Sequence, residues 1–136
     1  MATLTSAQVM SATDRLVEAF AATDTAAYFA CFSPDASFVF HPESARLDDR
    51  AAYEALWASW LAEGWRVVSC TSSDRLIQIH GDTAVLSHTV DTVTSVNGQQ
   101  STARERESIV FVLDGERVPP LPVAVHEHLS PVPTDT

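Results

Sequence analysis

The sequence predicts an α+β domain in which three N-terminal helices lie over the concave face of a cone-shaped, curved antiparallel β-sheet. Apolar residues recur at helical spacing through the first part of the chain. The remainder consists of long segments rich in Val, Ile, Thr and Ser. The only four glycines, Gly64, Gly81, Gly98 and Gly115, punctuate that second part at intervals of 17 residues. Helices followed by such a meander are typical of the α+β class, and residues 1–136 are expected to form one domain.

Three helices are predicted before the first glycine. The first covers residues 6–22, with Ser6 as its N-cap. The second covers residues 25–32 and ends at the Ser-Pro-Asp sequence of residues 33–35, which breaks regular structure. The third begins at a cap formed by Asp48 or Asp49 and continues to Glu63.

The strands are predicted from alternation and from turn dipeptides. The segment ASFVFHP reads as a short strand that ends at Pro42, and the glycine-containing pairs at 81–82, 97–98 and 114–115 read as tight hairpins. The last strand is VHEHLS, and the prolines at 119, 120 and 122 predict that its start is an edge or a loop. Strands of this length must curl, and helices across the concave side would enclose a conical pocket.

Composition excludes several classes of partner. The net charge is −10 and all 8 basic residues are arginine, which disfavours nucleic acid and anionic membranes and removes lysine-based Schiff-base chemistry. No secretory signal and no apolar run long enough to cross a membrane is visible. Cys31 and Cys70 are therefore expected to be buried thiols in a reducing compartment, and the expected localisation is cytoplasmic.

These segments together resemble the SnoaL-like branch of the nuclear transport factor 2-like superfamily over nearly the whole chain. The resemblance is carried by the helical start and by CFSPDASFVFHP, DDRAAYEALWASWL, RERESIVFVLDG and VHEHLSP. It implies a cystatin-like fold and a small pocketed dimer. Members include isomerases, polyketide cyclases, dehydratases and non-catalytic binding or assembly modules, so the fold leaves open whether this chain is an enzyme.

His41 is the candidate general base that the resemblance implies. In the ketosteroid isomerase relatives a catalytic Asp follows the first strand and precedes a proline, and here His41 precedes Pro42. An imidazole titrates near neutral pH, as a general base requires. The alternative is a polar strand end bonded to a backbone carbonyl. The relatives' carbonyl-polarising Tyr would fall near Val17, so steroid isomerisation is not expected.

Arg106 and Ser108 form a second candidate pair. They share one face of their strand with Arg104, whereas Glu105 and Glu107 share the other. Arginine followed two positions later by Ser or Thr is similar to the pattern of SnoaL-like proteins on this strand. A pocket arginine would bind a carboxylate or enolate, whereas the alternative is a surface ion pair of little energetic value.

The remaining polar candidates lie on strands whose faces the sequence leaves open. His88 and Asp91 are three residues apart, so one should face the pocket and the other solvent or a partner. His126 and His128 project opposite to Glu127, and line either the pocket or a dimer face. Two histidines are only half of a metal site, and no metal-spacing motif occurs, so neither a metal nor a cofactor is predicted.

Aromatic residues are predicted to supply the apolar wall of the pocket. Phe40, Trp57 and Trp60 are the candidates, together with Phe38 and Trp65, and ordinary core packing is the alternative for each one.

The leading functional hypothesis is a homodimeric protein that binds a small, largely apolar ligand bearing a carbonyl or carboxylate. If it is an enzyme, it is expected to abstract a proton beside a carbonyl without a metal, as an isomerase, cyclase or dehydratase. His41 would be the base, and Arg106 or His128 the electrophilic partner. The expected ligand contacts are Phe40, Trp57, Trp60, His88, Asp91, Ser108, His126 and Glu127.

The rival hypothesis is a non-catalytic binding or association module. A catalytic pocket requires His41, Arg106 and either His88 or His128 to converge on one cavity. An association module would place the terminal histidines at an interface.

Overall fold

The computed structural model describes residues 3–117 and 119–134. The chain forms three helices and five strands over these residues. They are α1 (Ser6–Ala21), α2 (Thr25–Phe29), β1 (Phe32–Phe40), α3 (Arg50–Ala62), β2 (Trp65–His80), β3 (Thr83–Val96), β4 (Gln99–Asp114) and β5 (Leu121–Pro131).

The five strands form one curved, open sheet in the order β1-β5-β4-β3-β2. The pairs β2–β3, β3–β4 and β4–β5 are antiparallel. The α+β prediction is confirmed, but the sheet is mixed because β1 runs parallel to β5. A parallel neighbour needs a long crossover, and here α3 and the three later strands lie between the two.

Helix caps explain where two of the helices begin. The side chain of Thr5, rather than the predicted Ser6, caps α1 by accepting a hydrogen bond from the Gln8 N–H, and Gln8 completes a capping box. Asp49 caps α3 by accepting a 2.8 Å hydrogen bond from the Ala52 N–H, as predicted for one of two aspartates.

The predicted break at residues 33–35 is wrong. Strand β1 already begins at Phe32 and continues through Pro34, with a register shift against β5 between Phe32 and Ser37. The irregularity absorbs the proline, which cannot donate a ladder hydrogen bond.

Side-chain alternation gives the sheet two faces. The helix-covered face contributes fully buried residues such as Leu86, Ile109 and Phe111 to the core beneath α1 and α3. The other side, called here the open face, has no covering element among the described residues. Its central side chains are Ser37, Val39, Val85, Ser87, Thr89, Asp91, Val93, Arg104, Arg106, Ser108, Val110, His126 and His128.

Two further expectations concern the environment of the chain. Cys31 and Cys70 are free thiols, and both are half-buried rather than fully buried. None of the helices in the described ranges has both the length and the apolar character that a membrane span requires.

Candidate functional site

A cavity of about 330 Å³ lies between the helices and the covered face of the sheet. Every helix and every strand contributes to its wall, and most of the wall is apolar. The lining residues are Leu16, Val17, Phe20, Tyr28, Phe40, Pro42, Glu43, Tyr53, Trp60, Trp65, Cys70, Val90, Thr92, Thr94, Ser101, Thr102, Ala103, Glu105, Glu107, Glu127 and Leu129.

Two buried carboxyl groups, Glu107 on β4 and Glu127 on β5, lie against each other in this wall. In the β4–β5 ladder Glu127 is opposite Ile109, so the two glutamates are diagonal neighbours on the covered face. Their side chains are close enough for each carboxyl group to shift the pKa of the other. Two buried carboxyl groups this close favour holding one proton between them, because two adjacent negative charges repel each other.

The environment decides which carboxyl group holds that proton. Burial, with the negative charge of Glu107 next, raises the pKa of Glu127 well above its usual range. Burial alone would also raise the pKa of Glu107, but hydrogen bonds from Glu127 and His88 outweigh it and lower that pKa. The two shifts therefore favour a pair with the proton on Glu127 and the negative charge on Glu107.

A hydrogen-bonded chain connects the pair to the surface of β2. The Nε2 of His88 lies 2.8 Å from Glu107 Oε1, and its Nδ1 lies 2.6 Å from Ser72 Oγ. Arg75 Nε donates to the same Ser72 oxygen at 2.9 Å, and its Nη1 pairs with Asp14 at 2.7 Å. The register shift of β2 between Ser73 and Leu76 lies opposite His88 and brings Ser72 and Arg75 together. This chain fixes the orientation of a fully buried imidazole, and with it that of Glu107.

Two tyrosine hydroxyl groups supply the other polar feature of the wall. Tyr28 from α2 and Tyr53 from α3 are both buried, and their hydroxyl oxygens are 2.9 Å apart. Burial, followed by the proximity of the Glu127 carboxyl, raises the pKa of both phenols well above 10.0. One hydroxyl donates to the other, which leaves the second O–H free to donate elsewhere.

Cys70 is the only thiol in the wall. Burial raises its pKa to about 11. The neutral thiol is therefore a poor nucleophile at neutral pH.

Only some of the predicted ligand-contact residues lie in the cavity wall. Phe40, Trp60 and Glu127 line the cavity, whereas His88 lies behind the wall and reaches it only through Glu107. Trp57 belongs to the core: it is 1% exposed and does not line the cavity.

Five other predicted residues lie on the open face, namely Asp91, Arg106, Ser108, His126 and His128. Strand alternation explains this placement, because Glu105, Glu107 and Glu127 occupy the covered face and their neighbours must project outward. Arg106 therefore cannot reach the cavity. The expected convergence of His41, Arg106 and a strand histidine on one cavity does not occur.

The terminal histidines have local partners on the open face. His126 Nδ1 is 2.8 Å from Ser37 Oγ, and the ring centroids of His126 and His128 are 6.3 Å apart. Burial, with His128 next, lowers the pKa of His126. Within the described ranges no group of three His, Cys, Asp or Glu side chains has the arrangement of a metal site.

His41 lies at the rim of the cavity, outside its wall. Its Nε2 is 2.5 Å from Oε2 of Glu105, which does line the cavity. His41 therefore acts on the cavity only through Glu105.

Replacing His41 by alanine is expected to leave the fold intact and to lower the free energy of unfolding by no more than about 1 kcal/mol, because its contact with Glu105 is partly exposed to water. Urea unfolding at low and high salt would measure this. A loss several times larger at either salt concentration would mean that His41 is structural.

Sequence comparison identifies the family of the chain. A model of the SnoaL-like domain matches residues 9–135. The chain belongs to the SnoaL-like domain family. None of the functionally curated proteins compared matches it.

Solved structures with the same fold have diverse descriptions. One is a nuclear transport factor 2-like superfamily protein from Salmonella enterica (16% identity, TM-score 0.80, covering 96% of this chain and 92% of that one). A candidate dehydratase from Streptomyces avermitilis is 20% identical (TM-score 0.78, 94% and 96%). The CaMKII hub of S. rosetta is 22% identical (TM-score 0.74, 93% and 95%). At these identities the likeness shows the fold alone.

Proposed function

We propose that this protein binds a small, largely apolar organic molecule in the cavity and moves a proton on it beside a carbonyl group. The observation that supports this most strongly is the Glu107–Glu127 pair, which holds one shared proton in the wall of an otherwise apolar cavity. Perturbed carboxyl groups in a pocket are typical of acid–base sites. The pair takes the role that the sequence suggested for His41.

The tyrosine and glutamate pairs divide the proposed chemistry between them. The free hydroxyl of Tyr28 or Tyr53 donates to the carbonyl oxygen, and the ionised carboxylate accepts a proton from the adjacent carbon. The C–H bond breaks, its electron pair forms the enolate, and the proton stays on the carboxyl pair. Return of that proton to a different carbon gives an isomer, whereas its transfer to a β-hydroxyl group, which then leaves as water, gives a dehydrated product.

Exchange of α-hydrogens of 2-tetralone in D₂O tests this proposal, because the compound is an apolar ketone with acidic C–H bonds. The protein is expected to accelerate exchange over buffer alone, as followed by proton NMR. Glu107→Gln removes the ionised carboxylate that accepts the proton, so the acceleration should fall by about 100-fold. Glu63→Gln, an exposed position outside the cavity, is the control and should match the wild type.

If 2-tetralone binds without any acceleration of exchange, the proton-transfer proposal is wrong and the alternative of a pure binding module stands. Binding itself is checked with Thr94→Trp, which fills the cavity from β3. The matched variant Thr71→Trp places the same bulk on the open face of the edge strand β2. Ligand affinity should fall only for the first.

We also propose a homodimer formed through the open face. Its central valines, Val85, Val93 and Val110, remain partly exposed without a covering element among the described residues. An isologous interface would bring this patch against its own copy. The likeness to a protein described as a CaMKII hub also favours association as the alternative function.

Sedimentation is expected to show a dimer at micromolar concentration. Val110→Arg should convert it to a monomer, because an unpaired charge would be desolvated at the centre of the interface. Leu61→Arg, at an exposed position on α3 in the helix layer, is the control and should remain dimeric. A monomeric wild-type protein would contradict the proposal.

A further inference from the structure

We infer that the ligand of this cavity carries a basic amine, bound as its ammonium ion against Glu107 and Glu127. This rests on the proposed function to the extent that the cavity must be a ligand site. It replaces the carboxylate that the sequence suggested and does not depend on whether a proton is transferred to carbon. An oxygen on the same molecule would remain available to the tyrosine pair.

The charge of the cavity wall has one sign. Four glutamates line it, and the described lining residues include no arginine, lysine or histidine. Of the four, Glu105 is hydrogen-bonded to His41 at the rim, and Glu107 to His88 behind the wall. An anionic ligand would therefore enter a cavity lined by carboxyl groups with no basic side chain to meet it, whereas an ammonium ion would meet acceptors.

The hydrogen-bonding capacity of the carboxyl pair is also unfilled. Glu127 is 3% exposed, and its Oε2 has no hydrogen-bond donor among the described residues. The donors present are the His88 ring and the single shared proton, whereas two carboxyl groups offer about eight lone pairs. A primary ammonium brings three N–H donors and no acceptor, which is the complement of what this wall lacks.

The apolar part of the wall suits a cation on an apolar skeleton. Six aromatic side chains line the cavity, and a ring face attracts a cation held near it. These residues are Phe20, Tyr28, Phe40, Tyr53, Trp60 and Trp65. Hydroxyl groups of Thr92 and Thr94 lie on the β3 side of the same wall and can accept a further N–H.

Three probes with one skeleton and different charge test the inference: 1-naphthylmethylamine, 1-naphthylmethanol and 1-naphthoate. Calorimetry on the full chain at pH 7 should give an affinity for the amine at least about 10-fold above that for the alcohol, as a charge-assisted hydrogen bond provides. The carboxylate should bind more weakly than the alcohol. Glu127→Gln should lower the affinity for the amine far more than the affinity for the alcohol and so remove most of the preference, whereas Glu63→Gln should alter neither.

Proton release gives a second, independent signature. A bound ammonium stabilises a second negative charge on the pair, so the shared proton should leave when the amine binds and stay when the alcohol binds. Calorimetry in buffers of different ionisation enthalpy measures this, and Glu127→Gln should abolish it. The other titratable groups that face the pair are Tyr28 from α2, Tyr53 from α3, Cys70 from β2, His88 from β3 and Glu105 from β4.

The possible outcomes separate this inference from the proposed function. If the alcohol binds and the amine binds no better, without proton release, the amine inference is overturned and the apolar ligand site stands. If none of the three probes binds, the ligand site itself is wrong, and the inference is overturned with it.

Discussion

Replacing Glu127 by glutamine is expected to abolish a loss of stability that the wild-type protein undergoes as the pH rises above the ordinary glutamate value. The folded protein holds a proton on Glu127, because burial and the charge of Glu107 raise its pKa well above 4.5. The unfolded chain releases that proton near 4.5. Between the two pKa values the folded state binds more protons, so the free energy of unfolding falls with rising pH by up to about 1.4 kcal/mol per unit.

Glu107 contributes with the opposite sign in a different window. Its pKa is lowered in the folded state, so its stabilising effect is complete above the unfolded value of 4.5 and is lost as the pH falls through the folded value. The loss of stability as the pH falls below 4.5 therefore comes from Glu107 and should persist in Glu127→Gln. The loss of stability as the pH rises above 4.5 comes from Glu127 and should disappear in this variant.

Urea unfolding from about pH 3 to 9, below the range in which tyrosines titrate, measures both effects. Protein concentration must be held constant, since dimerisation would add to the apparent stability. Glu63→Gln should follow the wild-type curve because its carboxyl group is exposed. If the variant at Glu127 kept the wild-type slope, Glu127 would be ionised in the folded protein, and the shared proton at the centre of the proposed site would not exist.

The arrangement of elements could be predicted from the sequence because each depended on local signals. Helical periodicity, the Asp49 cap and the turn dipeptides at 81–82 and 97–98 are properties of a few neighbouring residues. The parallel pairing of β1 with β5 had no local signal, since its partners Phe38 and Glu127 are far apart in the chain.

The candidate site was harder to predict because it depends on which face of each strand turns inward. On β4, Ile109 and Phe111 alternate with Val110 and Val112, so both faces are apolar and the pattern does not choose between them. The register could equally have placed Arg106 in the cavity instead of Glu107. The sequence showed that the two belong to opposite faces, and only the helices above the sheet determine which one is covered.

Tyr28 and Tyr53 illustrate a different limit. The resemblance placed a carbonyl-polarising tyrosine near Val17 on α1, and that place holds no tyrosine. The two tyrosines instead come from α2 and α3 and meet across 25 residues of sequence. A hydroxyl pair assembled from two helices has no spacing motif, so only the packing of those helices shows it.

Replacing Trp57 by alanine is expected to lower the free energy of unfolding by about 3–5 kcal/mol, a large part of the total for a domain of this size. Trp57 is 1% exposed, stacks on Tyr28 at a centroid distance of 5.0 Å and meets Trp65 edge-on at 4.9 Å. Its Nε1 donates a 2.9 Å hydrogen bond to Thr25 Oγ1, which would lose its partner. The truncation removes a large ring from a closed cluster that cannot collapse around the void.

Trp60, one turn further along α3, provides the matched comparison. It is half-buried and lines the cavity, so Trp60→Ala should cost only about 1–2 kcal/mol and should weaken binding of 1-naphthylmethanol. The sequence had placed both tryptophans among the ligand contacts, and urea unfolding together with calorimetry distinguishes their roles. Equal losses of stability in the two variants would contradict the separation of core from cavity wall. A folded Trp57→Ala protein should retain the wild-type affinity for 1-naphthylmethanol, because the ring that it lacks does not face the ligand.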